Sequence, residues 1–212
     1  MIHQIWVQFV SDFQQTSGWE WIAVISGIAS VWYSRQENIL VYPVGLLSTI
    51  IYTFISFHYH LLGEASVNLY YTIMSIYGWI LWAKRNEHHE RQVQIRFSNK
   101  KEWGTHILFC LFFYIVLFGA LTWLKKGFAT GAIPWADAFA SATAFTGMWL
   151  MAKKKVESWY WWLATNLASI PLYFVKHLVL TSFYYLVLLI LAVFGLLEWQ
   201  RKARSAAKIE FR

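Results

Sequence analysis

Charged residues are scarce in this chain: they make up 14% of its 212 residues, against about 25% in soluble domains. Cysteine is almost absent, and the single Cys110 excludes an intramolecular disulfide and any multi-cysteine metal centre. Three prolines and 11 glycines are too few for flexible linkers between domains. Hydrophobic residues instead make up 58% of the chain and aromatic residues 20%, more than a soluble fold of this length can bury. The composition therefore excludes an ordinary water-soluble enzyme, a disordered tail and a disulfide-stapled secreted module. It predicts one compact integral membrane domain.

Seven apolar segments are long enough to cross a bilayer, for which a helix needs about 17–25 residues. The first is the weakest, because Glu20 and Ser26 interrupt a short apolar run. Residues 2–13 place apolar side chains at helical spacing, which predicts a short interfacial helix, and no N-terminal segment has the features of a cleaved signal peptide. The predicted spans are 18–34, 38–58, 64–83, 104–124, 134–152, 157–178 and 181–199.

The formal net charge of +7 arises from basic residues that flank the apolar segments. They do not form the basic-aromatic groove typical of a nucleic-acid-binding protein. If the N-terminus lies outside, 15 of the 18 Lys and Arg residues fall inside, and only Lys125, Lys126 and Lys176 fall outside. Inside loops carry an excess of Lys and Arg. We therefore predict seven transmembrane helices with the N-terminus outside and the C-terminus inside.

Two short sequence similarities, both at a separation of 117 residues, indicate an internal repeat. Residues 48–52 also resemble residues 169–173, but at a separation of 121, which requires compensating gaps of four residues. Two three-helix units joined by one linker helix have the same orientation, so we predict an all-α fold with a parallel 3+1+3 repeat. Chance similarity between aromatic-rich helices is the alternative. The matched segments are 27–32 with 144–149, and 77–82 with 194–199.

The repeat divides the chain into five predicted parts. The fourth span suits a linker, because residues 107–121 are apolar on every face and have nothing to offer a substrate. The parts are an interfacial segment (1–17), a first three-helix repeat (18–85), a basic inside loop with the linker helix (86–133), a second three-helix repeat (134–202) and a basic cytoplasmic tail (203–212).

The sixth span carries the clearest candidate site. Trp159, Trp162, Asn166, Ser169 and Tyr173 fall at i, i+3, i+7, i+10 and i+14, within one arc of about 80° on a helix. This stripe combines aromatic faces with an amide that both donates and accepts hydrogen bonds. Two other interpretations stay open: the tryptophans belong to the interfacial aromatic belt, or the amide bonds to a neighbouring helix.

Spans two, three and five carry further polar side chains at membrane depth. Such groups are costly in lipid and usually face the bundle interior or a cavity, although hydroxyls also bond back to their own helices. We therefore add these residues to the predicted substrate-binding set: Asn68, Tyr71, Ser75, Ser48, Thr49, Tyr52 and Thr143.

Catalytic and cofactor chemistry has little support in the sequence. His58 with His60, and His88 with His89, lack the further ligands that a zinc site needs. Asp137 lies in the first turn of the fifth span, where the helix dipole favours a carboxylate; a proton relay is the alternative. We expect no catalytic residue, no metal, no cofactor and no enzymatic activity. The rival hypothesis is a membrane-anchor subunit or an intramembrane enzyme.

Residues 156–166, VESWYWWLATN, resemble the W-x-x-W-x-x-x-N signature of the bacterial nicotinamide riboside transporter family (PnuC). The resemblance covers about residues 18–202 and includes 77–82 and 135–155. It implies a SWEET-like 3+1+3 fold and facilitative uptake of nicotinamide riboside without an ion gradient or ATP. It also implies substrate contacts by Trp159, Trp162 and Asn166. Relatives in the wider family handle thiamine, riboflavin or deoxynucleosides, and these substrates are the alternatives.

The same resemblance implies a location and a set of partners. We expect a multi-pass protein of the bacterial inner (cytoplasmic) membrane, embedded in the lipid bilayer. Its small-molecule substrate would be trapped by phosphorylation, which links the protein functionally to a cytoplasmic riboside kinase. No nucleic acid is expected as a partner, and a homo-oligomer is compatible with the sequence.

Overall fold

The computed structural model describes residues 2–58, 62–85, 92–125 and 132–210. Within these ranges the chain is helical, apart from loops and one isolated bridge between Arg96 and Lys155. The helices are α1 (Ile2–Gln15), α2 (Gly18–Arg35), α3 (Val41–His58), α4 (Leu62–Ala83), α5 (Lys100–Leu124), α6 (Pro134–Ala152), α7 (Ser158–Val175) and α8 (Val179–Glu210).

Helices α2 to α8 coincide with the seven predicted apolar segments, and α1 occupies the predicted interfacial segment. The largest difference is α8, which continues to Glu210 and includes residues that we had assigned to a tail. No glycine or proline interrupts this extension. Among the described helices, α3, α5 and residues 179–208 of α8 are long and apolar enough to cross a membrane. The other four predicted spans are less apolar, and the total of seven crossings stays a prediction.

Two helices begin at capping boxes that explain charged residues near apolar segments. Ser17 accepts the backbone N–H of Glu20, whose carboxylate in turn accepts the Ser17 N–H at 2.7 Å. Asn99 and Glu102 repeat this exchange at the start of α5, which extends that helix to Lys100. Each exchange satisfies two backbone donors that a helix start would leave unpaired.

The helices pack in two consecutive groups, α2–α3–α4 and α6–α7–α8. Contacts between α2 and α8 and between α4 and α6 join the groups into one bundle. Helix α5 packs mainly against α6, and none of its most apolar window is buried. Helix α1 packs against α8 through the Phe9 and Phe183 rings, 5.7 Å apart, and the Asp12 carboxylate accepts the Leu180 N–H.

The two groups repeat at an offset of 117 residues. Helices α3 and α7 begin and end 117 residues apart, and so do the starts of α4 and α8. Gly78 lies against the Tyr42 ring as Gly195 lies against the Trp159 ring, and a Cβ at either glycine would clash with that ring. The offset of 121 that we inferred for residues 48–52 and 169–173 is therefore wrong. Similar Ser and Tyr spacing on two helices produced it.

The ends of the two groups are joined by reciprocal hydrogen bonds. The Trp82 indole of α4 donates to the Ala152 carbonyl at the end of α6, at 3.0 Å. The Trp199 indole of α8 donates to the Arg35 carbonyl at the end of α2, at 3.2 Å. Each helix pair in this exchange is related to the other by the same offset of 117 residues. The indoles therefore hold the two groups together at one end of the bundle.

Candidate functional site

The stripe predicted on the sixth span lies on helix α7. Its Trp162 indole lies flat against Gly147 of α6. A Cβ at Gly147 would lie only 3.2 Å from the Trp162 ring, so the missing side chain lets the indole approach the α6 backbone. On its other side the indole faces Tyr71 of α4, with ring centroids 6.2 Å apart. Trp162 is half-buried, with these two contacts on its two sides.

The Asn166 amide lies one turn further along α7. Its residue is only 2% exposed, and the amide makes no hydrogen bond to any residue that the structure describes. Its two donors and its acceptor therefore remain available to a ligand bearing hydroxyl groups. The alternative interpretation, a hydrogen bond from Asn166 to a neighbouring helix, is not found among the described residues.

A cluster of tyrosines continues the site beyond Asn166. The Tyr173 ring of α7 stacks on the Tyr185 ring of α8, with centroids 5.1 Å apart and planes inclined by 11°. Ser169, one turn before Tyr173 on α7, is 1% exposed. Tyr184 packs edge-on against Tyr185 at 5.6 Å. These contacts join α7 and α8 through aromatic faces.

Helices α3 and α4 meet the same cluster. Tyr52 of α3 and Tyr71 of α4 both lie within electrostatic range of Tyr184 and Tyr185. Tyr184 also reaches α2, where its hydroxyl fills the space above Gly27. We refer below to the interior site, which consists of Tyr52, Tyr71, Trp162, Asn166, Ser169, Tyr173, Tyr184 and Tyr185.

Tyr184 and Tyr185 were not predicted from the sequence. Two phenols at consecutive positions within the last apolar segment were the available signal. The contacts of these two residues are between helices, so helical periodicity within a single segment cannot predict them.

Several predicted site residues instead hold the bundle together. The Ser48 hydroxyl donates to the Ala23 carbonyl at 2.8 Å, and Thr72 donates to Thr49 at 2.9 Å. Thr143 donates to carbonyls of its own helix and accepts from Thr165 of α7. These are the helix-to-helix and helix-to-self bonds that compete with substrate binding.

Two of the predicted site residues lie on α4. The Asn68 amide donates to the carbonyl of Glu64 in the preceding turn, at 3.0 Å. Ser75 is buried at 3% exposure, without a hydrogen bond to the described residues. Neither residue is brought to the interior site by a contact in this structure.

Trp159 is 1% exposed and belongs to the hydrophobic core near the N-terminal end of α7. Gly195 packs against its ring, and Trp199 meets it edge-on at 5.6 Å. The side chain is therefore enclosed by the bundle, and within the described ranges no ring contact or hydrogen bond joins it to the interior site. Its buried indole N–H has no hydrogen-bond partner among the described residues.

Asp137 forms an ion pair at the opposite end of the bundle. One carboxylate oxygen accepts the Ile133 N–H at 2.7 Å, and the other lies 2.6 Å from the Lys176 ammonium. The first contact agrees with a carboxylate that stabilises the start of α6. The second ties α6 to the end of α7.

The structure describes only some of the histidines considered as metal ligands and only some of the basic residues counted above. Within its described ranges, no group of three or more His, Cys, Asp and Glu side chains is placed to hold a metal ion. His60, His88 and His89 lie outside the described residues, as do Arg91 and Lys126 of the charge count.

A helical bundle with exposed apolar helices and an aromatic, amide-bearing interior site is typical of a membrane carrier for a small flat molecule. The chain belongs to the PnuC family: a family model described as "Nicotinamide mononucleotide transporter" matches residues 17–201. This confirms the family that the α7 signature indicated, and identifies a membrane protein of the transporter class.

Individual relatives agree with this assignment. The riboflavin/roseoflavin transporter RibM of Streptomyces davaonensis is 25% identical over 199 residues, covering 92% of this chain and 91% of the relative. The nicotinamide riboside transporter PnuC of Escherichia coli is 22% identical over 210 residues, covering 88% and 86%. The crystal structure of the vitamin B3 transporter PnuC matches with a TM-score of 0.72 at 21% identity, covering 96% of this chain and 90% of that one. The structural match supports the fold.

Proposed function

We propose that this protein is a facilitative transporter that takes up nicotinamide riboside, a precursor of NAD, across the bacterial inner membrane. The observation that carries the proposal is the Asn166 amide, which lies on the same face of α7 as Trp162, is 2% exposed and makes no hydrogen bond to the described residues. A cytoplasmic riboside kinase then phosphorylates the substrate and traps it. The protein itself performs no covalent chemistry in this scheme.

The interior site suits the two halves of nicotinamide riboside. A cationic pyridinium ring stacks favourably on Trp and Tyr faces, by about 0.5–2 kcal/mol for each contact. Trp162 and Tyr71 provide such faces 6.2 Å apart, and Asn166 can bridge ribose hydroxyls. The Tyr173 and Tyr185 rings, stacked at 5.1 Å, add further aromatic faces.

Aromatic walls also suit transport without coupling to an ion gradient. A carboxylate in direct contact with the cation would bind it more tightly and slow its release on the other side. Cation–π contacts are weaker, and an uncoupled carrier needs moderate affinity on both faces of the membrane. The carboxylate of Asp137 is already paired with Lys176.

We further propose that α2 to α8 are seven membrane crossings, with the N-terminus outside. Arg35, Lys154 and Lys202 lie at one end of the bundle, where Glu198 and Glu37 contact them. The positive-inside rule places that end in the cytoplasm. The recurrence of helix bounds at 117 residues supports the parallel 3+1+3 arrangement, with α5 as its linker. Substrate would then be exchanged between repeats near the midplane.

Riboflavin is a second candidate substrate. It is favoured by the similarity to RibM, which extends over 91% of that relative. Stacking on Trp162 tolerates either flat ring system. Charge distinguishes them, because cation–π contacts favour the cationic nicotinamide riboside over the neutral riboflavin.

Uptake into liposomes that contain only this protein tests the proposal. We expect labelled nicotinamide riboside to enter well above the level in empty liposomes, and labelled riboflavin to enter more slowly. Faster entry of riboflavin would indicate that this chain, like RibM, is a riboflavin transporter. No uptake of either substrate, with folded protein confirmed, would favour a membrane-anchor subunit or an intramembrane enzyme.

A further inference from the structure

A basic depression of about 540 Å³ opens at the end of the bundle where α4 and α6 terminate. It is separate from the interior site and shares no residue with it. Its charged side chains come from the loop before α5, from the first turn of α5 and from the loop after α6. The lining residues are Leu81, Gln92, Val93, Gln94, Arg96, Glu102, Lys153 and Lys155.

Cations outnumber carboxylates in this depression. Arg96 and Lys155 share a single carboxylate oxygen of Glu102, at 3.1 and 2.6 Å. The other Glu102 oxygen accepts the Asn99 N–H at 2.8 Å. Burial raises the pKa of Glu102, but the hydrogen bonds from Lys155 and the Asn99 backbone outweigh it and lower the pKa to about 2. The carboxylate is therefore ionised at neutral pH. Against this one negative charge, the described lining residues contribute three cations, which leaves a net charge of +2.

Lys153 supplies the cation that lacks a carboxylate. Its ammonium lies 3.9 Å from the centroid of the Trp149 ring, and no carboxylate among the described residues pairs with it. Burial lowers the pKa of Lys153, and the nearby Lys155 lowers it further. A bound anion would raise the pKa of Lys153 again, because it stabilises the charged ammonium. The depression is thus complementary to an anion, and Gln92 and Gln94 offer amide donors at its rim.

Exposed apolar side chains lie on the helices that border this depression. On α4, Ile76 and Ile80 precede the lining residue Leu81 and are 48% and 54% exposed. On α5, Ile107 and Leu108 follow the lining residue Glu102 and are 52% and 71% exposed. The cationic depression is therefore bordered by exposed apolar surface, which on a membrane protein faces lipid.

We propose that an anionic phospholipid binds here, with its phosphate in the depression and its acyl chains against the exposed apolar side chains of α4 and α5. The shared chemistry is a phosphate anion, which a free phosphate also provides. The bordering apolar surface favours the lipid, because it offers a free anion nothing. Lysine ammonium groups bind phosphate as point charges, and Arg96 adds a planar set of donors.

Lipid retention on the purified full-length protein tests this site. Protein reconstituted in an equal mixture of phosphatidylglycerol and phosphatidylcholine is extracted in detergent, and bound lipids are counted by native mass spectrometry. We expect phosphatidylglycerol to be retained preferentially. Lys153→Gln should reduce its retention about fivefold, whereas Lys153→Arg should preserve it. Lys208→Gln, an exposed cation on α8, is the matched control and should have no effect.

The outcomes separate the possible occupants. Inorganic phosphate at millimolar concentration should not displace the lipid. Equal retention of the two lipids, or unchanged retention in a well-folded Lys153→Gln protein, would overturn the site. Displacement of the lipid by phosphate would overturn the assignment to a phospholipid and leave a free-anion site. Thermal unfolding of each variant, measured in parallel, excludes misfolding as the cause of a loss.

Discussion

Glu37 and Lys154, separated by 117 residues, form a buried ion pair in which Oε1 and Nζ lie 2.6 Å apart. Both residues have a positive φ, of 62° and 52°, which is uncommon outside glycine. Lys154 is 1% exposed, and its ammonium also lies 4.6 Å from the centroid of the Trp82 ring. Equivalent loops of the two repeats thus share one backbone conformation and meet through opposite charges.

Removing one partner of this pair should destabilise the protein. Lys154→Met leaves Glu37 without its buried cation, and such changes cost about 3–5 kcal/mol. Lys202→Met is the matched control, because Lys202 lies 3.8 Å from Glu37 and is 35% exposed, so its loss should cost under about 1 kcal/mol. The double variant Glu37→Gln with Lys154→Met should regain most of the stability. Thermal unfolding in detergent measures all three, and equal effects of Lys154→Met and Lys202→Met would contradict the account.

Two glycines at equivalent positions should tolerate no side chain. Gly78→Ala and Gly195→Ala push a Cβ into the Tyr42 and Trp159 rings, and overpacking of this kind costs about 1–3 kcal/mol. Gly104→Ala on α5 is the control, since nothing lies within 4 Å of its added Cβ. That change should be neutral or stabilising by up to about 1 kcal/mol. A Gly195→Ala protein that unfolds at the same temperature as Gly104→Ala would disprove the close packing of α7 and α8.

Much of the fold could be predicted from the sequence because helix length and polarity are local properties. The position of each apolar segment depends on its own composition, and all seven predicted segments became helices. The recurrence at 117 residues was detectable because Trp82 and Trp199 hold equivalent positions with a glycine four residues earlier. The offset of 121 failed because Ser and Tyr spacing alone carries no information about the neighbouring helix.

The candidate site was predictable only in part, for a similar reason. Helical periodicity identified Trp162 and Asn166, which share one face of α7. It could not predict that Ser48 and Thr143 are already hydrogen-bonded within the bundle, or that Tyr184 and Tyr185 of α8 meet that face. The Glu37–Lys154 pair depends on two left-handed loop residues, and neither position carries a glycine that would signal them.

Tyr185→Phe should weaken substrate binding although it keeps the aromatic ring. The change removes a hydroxyl beside the stacked Tyr173 and Tyr185 rings that we expect to bond the substrate, at a cost of about 0.5–1.5 kcal/mol, or roughly two- to tenfold in affinity. Tyr114→Phe, on the lipid-facing helix α5, is the control and should bind nicotinamide riboside like the parent. Isothermal titration with purified protein gives both values. An unchanged Kd for Tyr185→Phe would remove this hydroxyl from the site.

Transport should depend on the substrate gradient alone. The Asp137 carboxylate is paired with Lys176, and the interior site is formed by aromatic, amide and hydroxyl side chains. Uptake into proteoliposomes should therefore be unaffected by sodium or by an imposed pH gradient. Strong stimulation by either gradient would demonstrate coupling, and Asp137→Asn would then be the first variant to measure.

The most direct test of the account is the affinity of Asn166→Leu for nicotinamide riboside, compared with Trp162→Phe. Leucine keeps the approximate volume of Asn166 but removes its donors and its acceptor, so polar groups of the bound substrate are left unpaired, at about 1–3 kcal/mol each. We predict a loss of affinity of roughly ten- to hundredfold for Asn166→Leu, at about 1.4 kcal/mol per tenfold. Trp162→Phe keeps a smaller aromatic face and should lose less than about tenfold. Parent-like affinity in an Asn166→Leu protein of matched thermal stability would contradict the account, because the buried amide would then not contact the substrate.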